Sequence, residues 1–325
     1  MTTARGRAPR IPWRLRSPHV QSYLATSRLR LPWIREPRTE SREVLLDGGG
    51  GVRLLALHDP ADSPRGLAVL LHGWEGSAGS TYLRSLRAVL VHAGWEVFRL
   101  NFRDHGGTQA LNRELFHSCR IAEVVAAFAA VAVLSRARPL VAVGFSLGGN
   151  FALRVALRAP AAGVPLAGAV AVSPVLDPRH TLTALERGSP LYHAHFVRKW
   201  RHSILAKERA FPDAYDFREW LALGDLRSQT RYLVERFTEY PSLDAYFDGY
   251  AIAGDRLAGL RVPAVLLHSD DDPINPAEDV RALSASDSLV TEILPLGGHC
   301  GFLEGLASPT WLDLRILDEI SHMNI

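Results

Sequence analysis

A serine framed by glycines stands at Gly144-Phe145-Ser146-Leu147-Gly148, matching the pattern G-x-S-x-G. An apolar run leads into it and a helical pattern leaves it. A sharp strand-to-helix turn brings backbones close together and needs small residues on both sides of the serine, which Gly144, Gly148 and Gly149 supply. It also sets the hydroxyl at a helix N-terminus, where partial positive charge favours an oxyanion. A serine hydroxyl is a weak nucleophile at neutral pH and needs a base within reach. Leu296-Gly297-Gly298-His299-Cys300-Gly301-Phe302 offers His299 in a glycine-flanked loop late in the chain. The acid that orients such an imidazole belongs in the loop before it, where Ser269-Asp270-Asp271-Asp272-Pro273-Ile274-Asn275-Pro276 presents three consecutive carboxylates. Asp272 is the choice, because it directly precedes Pro273 and stands four residues before Pro276. Asp271 is the alternative, and Asp270 is expected to face solvent or cap the turn. No D-x-D-x-D-G spacing follows, so these acids make a poor calcium loop. Ser146, Asp272 and His299 are therefore expected to act as nucleophile, orienting acid and general base, in that chain order.

Two further loops stand where the same edge is expected. His72-Gly73-Trp74-Glu75-Gly76-Ser77 closes an apolar run at the place where half of an oxyanion hole belongs. The expected donors are the backbone N–H groups of Trp74 and of Leu147, and losing one such donor costs on the order of a hundredfold to a thousandfold in rate. His72 is expected to be a structural hydrogen-bonder. In Asn101-Phe102-Arg103-Asp104-His105-Gly106-Gly107, Asp104 and His105 fall in the wrong chain order for a catalytic pair and are read as groups that fix the loop.

The scaffold that positions these loops is legible as alternation. Leu67–His72, Glu96–Asn101, Leu140–Phe145 and Leu166–Val172 are continuous apolar runs of buried-strand length. Helical patterns over Tyr82–His92, Ile121–Leu134 and Leu147–Leu157 separate them, which predicts a mostly parallel sheet covered by helices. Upstream, Glu43–Asp47 and Val52–Leu57 flank Gly48–Gly51 and read as an antiparallel hairpin. The rhythm resumes with a strand at Val262–His268, a helix near Pro276, a strand at Leu289–Leu294 and a closing helix near Trp311–Ile320. Between them, residues 176–255 read as several helices without strands, rich in aromatics such as Trp200, Phe211, Tyr215, Trp220, Tyr232 and Phe237. The whole predicts an α/β-hydrolase fold: a basic arm over 1–40, a core over 41–175 and 256–325, and a helical lid over 176–255. The lid aromatics suit an apolar acyl group and suit simple lid packing equally well.

At 325 residues with 47% hydrophobic and 22% charged residues, the chain can bury a sizeable core and is not read as disordered. Cys119 and Cys300 are too few for a disulfide framework and lack ligand spacing, so a cytoplasmic protein without metal or cofactor is expected. No apolar run approaches the roughly 18 residues of a spanning helix. Residues 1–40 hold nine arginines, Arg5 among them, against Glu36 and Glu40, so a net charge of +3 divides into +7 there and −4 elsewhere. An acidic remainder and the absence of any nucleic-acid module argue against nucleic acid as a partner. Trp13 and Trp33 among the arginines would suit weak peripheral contact with an anionic membrane. The preferred reading is that the arm packs its aromatics on the domain and solvates its charges.

Taken together, HGWEGS, NFRDHGG, GFSLGGN, SDDDP and GGHCGF, with Pro18-His19-Val20-Gln21 near the start, resemble the YheT-type branch of the α/β-hydrolase superfamily. The resemblance runs from about residue 12 to residue 320, specific at the serine and histidine loops and loose in the lid. It implies esterase activity on carboxylic esters or acylglycerols, with Ser146, Asp272 and His299 as the matching residues. Acyl transfer or thioester hydrolysis would use the same three, and a hydrolase scaffold can also serve binding alone. Ser269 departs from the Asn or Ala common among relatives, and an N-terminal anchor like that of eukaryotic relatives is not expected, so the resemblance does not imply their membrane location.

Overall fold

The glycines of Gly48–Gly51 turn the chain with positive φ at Gly49, Gly50 and Gly51. They join Arg42–Asp47 (β1) to Arg53–Asp59 (β2) in an antiparallel hairpin, as the flanking patterns predict. The computed structural model describes residues 7–135 and 139–323, so Arg5 lies outside the described residues. Leu67–Leu71 (β3), Glu96–Leu100 (β4), Leu140–Phe145 (β5), Leu166–Val172 (β6), Ala264–Ser269 (β7) and Leu289–Leu294 (β8) complete one eight-stranded sheet. Its order is β1-β2-β4-β3-β5-β6-β7-β8. β2 runs antiparallel to β4, and every pair from β4 to β8 is parallel. The chain leaves β3 toward β4 on one side and returns to β5 on the other, making a switch point where loops at the carboxyl ends open a crevice. Leu71 is registered with Gly144, which brings the loop after β3 beside the serine turn.

Helices cover both faces. Pro18–Thr26 (α1) belongs to the N-terminal segment, followed by Thr81–His92 (α2), Ile121–Leu134 (α3) and Leu147–Arg158 (α4). Alternate residues of β3 sort to opposite sides: Leu67, Val69 and Leu71 pack in the cluster with α3 and α4, while Ala68 and Leu70 pack in the cluster with α2 and Trp311–His322, the last helix. Burial on both faces explains why β3, β5 and β6 are apolar throughout, whereas β1 and β8 at the edges are partly exposed and carry charged residues.

Between β6 and β7 the chain forms Pro178–Arg187 (α5), Pro190–Ala210 (α6), Arg218–Ala222 (α7), Leu226–Phe237 (α8) and Leu243–Tyr250 (α9), without a strand. Asp177, Ser189, Asp225 and Ser242 cap four of these starts with side-chain oxygens, and Pro178 and Pro190 occupy first-turn positions whose N–H would be unused anyway. Trp220 is fully buried and donates to the Gln229 carbonyl at 3.0 Å. With Ile204, Phe217 and Leu115 it forms a small core of its own, against which Trp200, Tyr215, Tyr232 and Phe237 pack. Ala277–Arg281 (α10) and the last helix, α11, close the chain order.

The arm corrects one expectation. Its tryptophans are not packed on the domain: Trp13 is 74% and Trp33 56% exposed. It docks instead through Gln21, Ser22, Ala25, Arg30 and Ile34, all buried. The surface that receives it explains why, because a Cβ at Gly298 or Gly301 would collide with Pro18 or Gln21. Contact that close accepts a small, polar helix face and leaves no room for indoles.

Candidate active site

Ser146 follows β5 and caps α4 with φ 54° and ψ −120°, a conformation non-glycine residues rarely adopt. Strain of this kind persists only where the surroundings over-determine it. Here they do: a Cβ at Gly144 would run into the Gly148 carbonyl, and one at Gly148 into the carbonyls of Leu71 and His72. The Ser146 amide donates to Val172 at 2.9 Å, pinning the turn to β6. Its Oγ makes no hydrogen bond within the protein among the described residues and lines a cavity of about 1460 Å³, whose wall also includes His299.

The structure brings His299 and Asp272 together, with Nδ1 2.8 Å from Asp272 Oδ2 and 3.1 Å from Oδ1. Nε2 carries no hydrogen bond among the described residues. The Asp272 carboxylate is buried and accepts from the amides of Ile274 at 2.8 Å and Asn275 at 3.0 Å. Burial opposes its charge, but His299, His268 and the Asn275 amide outweigh burial and hold its pKa below the ordinary carboxylate value. Burial likewise opposes charge on His299, and the adjacent Asp272 more than offsets it, raising the imidazole well above its ordinary value.

Asp271, the alternative acid, is elsewhere. Its Oδ1 accepts from the amides of Gly297 at 2.9 Å and Gly298 at 2.8 Å, so it holds the histidine loop rather than the imidazole. Asp270 pairs with Arg281 at the exposed edge. Ser269 donates to the Gly298 carbonyl at 2.7 Å and so helps to fix the same loop.

Trp74 and Leu147 both line the cavity, and neither amide donates to a protein acceptor among the described residues. The neighbouring Gly73 amide is taken by the Tyr82 hydroxyl at 2.9 Å. His72 is buried and bridges two loops, with Nδ1 2.7 Å from the Gly73 carbonyl and Nε2 accepting from Phe102 N–H at 3.2 Å. Asp104 accepts from Lys207 Nζ and from Phe116 N–H, each at 2.8 Å, and His105 bonds the Arg103 carbonyl at 2.7 Å. Among the described residues, no group of three or more His, Cys, Asp or Glu side chains could hold a metal.

Sequence reasoning missed what holds the histidine loop from outside. The His299 amide donates to Ser22 Oγ at 2.8 Å. Gln21, fully buried, accepts from Leu303 N–H at 2.8 Å and donates to the carbonyls of Leu303 at 3.0 Å and Leu15 at 2.8 Å. The P-H-x-Q segment was visible as a motif, but only burial and partners give it a task. Gln21→Ala should strand these buried groups and lower the unfolding free energy by about 3 kcal/mol, readable by urea denaturation. An unchanged midpoint would remove Gln21 from this role.

Of the lid aromatics picked out by sequence, Trp200 reaches the cavity, while Phe211, Trp220 and Tyr232 do not line it. Its apolar wall comes instead from residues such as Phe116, Leu182, Leu185, Phe196, Phe247 and Tyr250.

Residues 68–310 match the model of the alpha/beta hydrolase family. The chain is 28% identical over 293 residues to the Escherichia coli (strain K12) protein named "Putative esterase YheT", covering 84% of this chain and 82% of that one. It is 25% identical over 275 residues to the protein abhd-3.2 of Caenorhabditis elegans, covering 81% and 72%. Among solved structures, the Pyrococcus furiosus esterase Pf2001 superposes with a TM-score of 0.57 at 16% identity, over 88% of this chain and 91% of that one. An arylesterase superposes with a TM-score of 0.56 at 16% identity, over 94% and 89%. At such identities the superpositions speak for the fold alone.

Proposed function

The chain belongs to the alpha/beta hydrolase family, and on that premise we propose that it hydrolyses carboxylic esters through an acyl-enzyme on Ser146. The observation that carries this reading is the buried Asp272 carboxylate on His299 Nδ1, beside a strained serine in the same cavity. With Nδ1–H donated to Asp272, Nε2 is the basic nitrogen. As the two side chains close to hydrogen-bond distance on substrate binding, Nε2 takes the Ser146 proton and Oγ attacks the ester carbonyl. The oxyanion of the tetrahedral intermediate accepts from the Trp74 and Leu147 amides. Collapse expels the alcohol, which takes its proton from His299. Water, deprotonated by the same nitrogen, then releases the acid and restores the serine.

The helices over 176–255 serve as the lid in this reading, and the apolar wall favours an apolar acyl group. No metal or cofactor enters the steps. Hydrolysis of a p-nitrophenyl ester series from acetate to palmitate tests the proposal: turnover at some chain length is expected, and none at any length would overturn it. Acyl transfer would show as faster ester consumption with an added alcohol, and thioester cleavage as thiol release from a thioester substrate.

No helix among the described residues is long and apolar enough to cross a membrane. The free Cys119 and Cys300 favour a reducing compartment, and we place the protein in the cytoplasm. Exposed Trp13 and Trp33, with Arg14, Arg16, Arg28, Arg35 and Arg38 outside any ion pair among the described residues, favour weak contact with an anionic bilayer. Phosphatidylglycerol vesicles should sediment more protein than phosphatidylcholine vesicles, and Trp13→Ala with Trp33→Ala should remove the difference. Equal sedimentation would discard the contact.

A further inference from the structure

Of the 37 basic residues in this chain only Lys199 and Lys207 are lysines, and both lie on α6. Lys207 is spoken for: buried, it donates to Asp104 Oδ1 at 2.8 Å and to the carbonyls of Gln109, Asn112 and Glu114. Lys199 is not. It lines the cavity, and its ammonium donates to the Glu75 carbonyl at 3.0 Å, one residue beyond the expected oxyanion donor Trp74. Arg198 and Arg28 line the same cavity, and among the described residues none of these three cations makes an ion pair. We infer that Lys199, supported by the neighbouring charge of Arg198, forms an anion-binding subsite, so that the preferred ester carries a carboxylate or phosphate as well as an apolar acyl chain. The inference rests on the esterase reading above and names its substrate class.

The surroundings favour an anion from the substrate over one from the protein. Of the carboxylates on the cavity wall, Asp104 is committed to Lys207. Burial pushes Glu75 up to about 8 against the pull of Lys199, which favours its neutral form near neutral pH. Burial also lowers Lys199, and Glu75 offsets part of that fall. Burial lowers His195, and Lys199 and Arg198 lower it further, which keeps that imidazole neutral and marks local positive potential. An ammonium with three donors can give one to Glu75 and still present two to an oxyacid. Lys199 and Arg198 are exposed, so solvent screens a charge-assisted contact there and about tenfold in affinity at low salt is its upper range.

The test uses two matched pairs on the full chain: p-nitrophenyl valerate against mono-p-nitrophenyl glutarate, and monobutyrylglycerol against its glycerol phosphate counterpart. In at least one pair the anionic ester should show a kcat/KM roughly tenfold higher at low salt, and that advantage should shrink as salt screens it. Lys199→Gln should bring the anionic-to-neutral ratio toward one whatever it does to the neutral rate, and Lys199→Arg should keep it. Which pair shows the preference tells carboxylate from phosphate. Ratios near one in both wild-type pairs, or a preference that survives Lys199→Gln, would overturn the subsite while leaving the esterase standing. Turnover of none of the four esters would overturn the subsite, and the esterase reading falls with it only if the acetate-to-palmitate series is inert as well.

Discussion

Ser146→Ala is expected to lower ester turnover roughly a million-fold while leaving the fold intact. The first half follows from covalent catalysis: without Oγ no acyl-enzyme forms, and the amides of Trp74 and Leu147 can at best assist direct attack by water. The second half follows from what the side chain does otherwise. Oγ bonds to nothing within the protein among the described residues, so its loss leaves no buried partner unsatisfied. Alanine at this position faces the same backbone conformation as serine, φ 54°, held by the same crossing of Gly148 against β3. Turnover by the variant near the wild-type rate, with an unchanged urea midpoint, would dismiss Ser146 as nucleophile.

The second large effect separates two neighbours. Asp272→Asn should cost about ten-thousand-fold in kcat, because an amide NH₂ facing Nδ1 favours the tautomer with its proton on Nε2, where the base must be free. Asp271→Asn should cost less than about tenfold, since its carbonyl oxygen still accepts from Gly297 and Gly298. The pH profile gives a second reading. His299 must be neutral to act as base, and Asp272 raises its pKa, so the wild-type rate should fall with acid from a point above that of a free imidazole. Removing the Asp272 charge should move the residual activity's acid limb downward. Equal losses in the two variants would return the question to Asp271.

Apolar continuity and glycine spacing were enough to lay out this molecule along its chain. Strands buried on both faces announce themselves as Val- and Leu-rich runs, and the serine turn shows itself by the small residues its steric crossing demands. Three adjacent aspartates were harder, because each sits in the same loop and only the fold decides which carboxylate meets the imidazole, which the histidine loop, and which Arg281. Lid aromatics could not be sorted by sequence, since a tryptophan in a private core and one on a cavity wall have the same local pattern. Least legible was the grip of Gln21 and Ser22 on the histidine loop, which joins residues 282 and 277 positions apart.

That separation has a consequence for synthesis. The segment carrying Gln21 and Ser22 leaves the ribosome well before its hydrogen-bond partners at His299 and Leu303, which are 277 and 282 positions later. During most of translation it has nothing to dock on, and its arginines and exposed indoles remain available to any passing surface or chaperone. The central strands can associate as they appear, whereas the loop bearing His299 gains its outer support only once Gln21 and Ser22 meet Leu303 and His299. Catalytic competence is therefore expected to lag behind sheet formation, and a nascent chain that stalls before residue 303 would hold its strands and lack its chemistry.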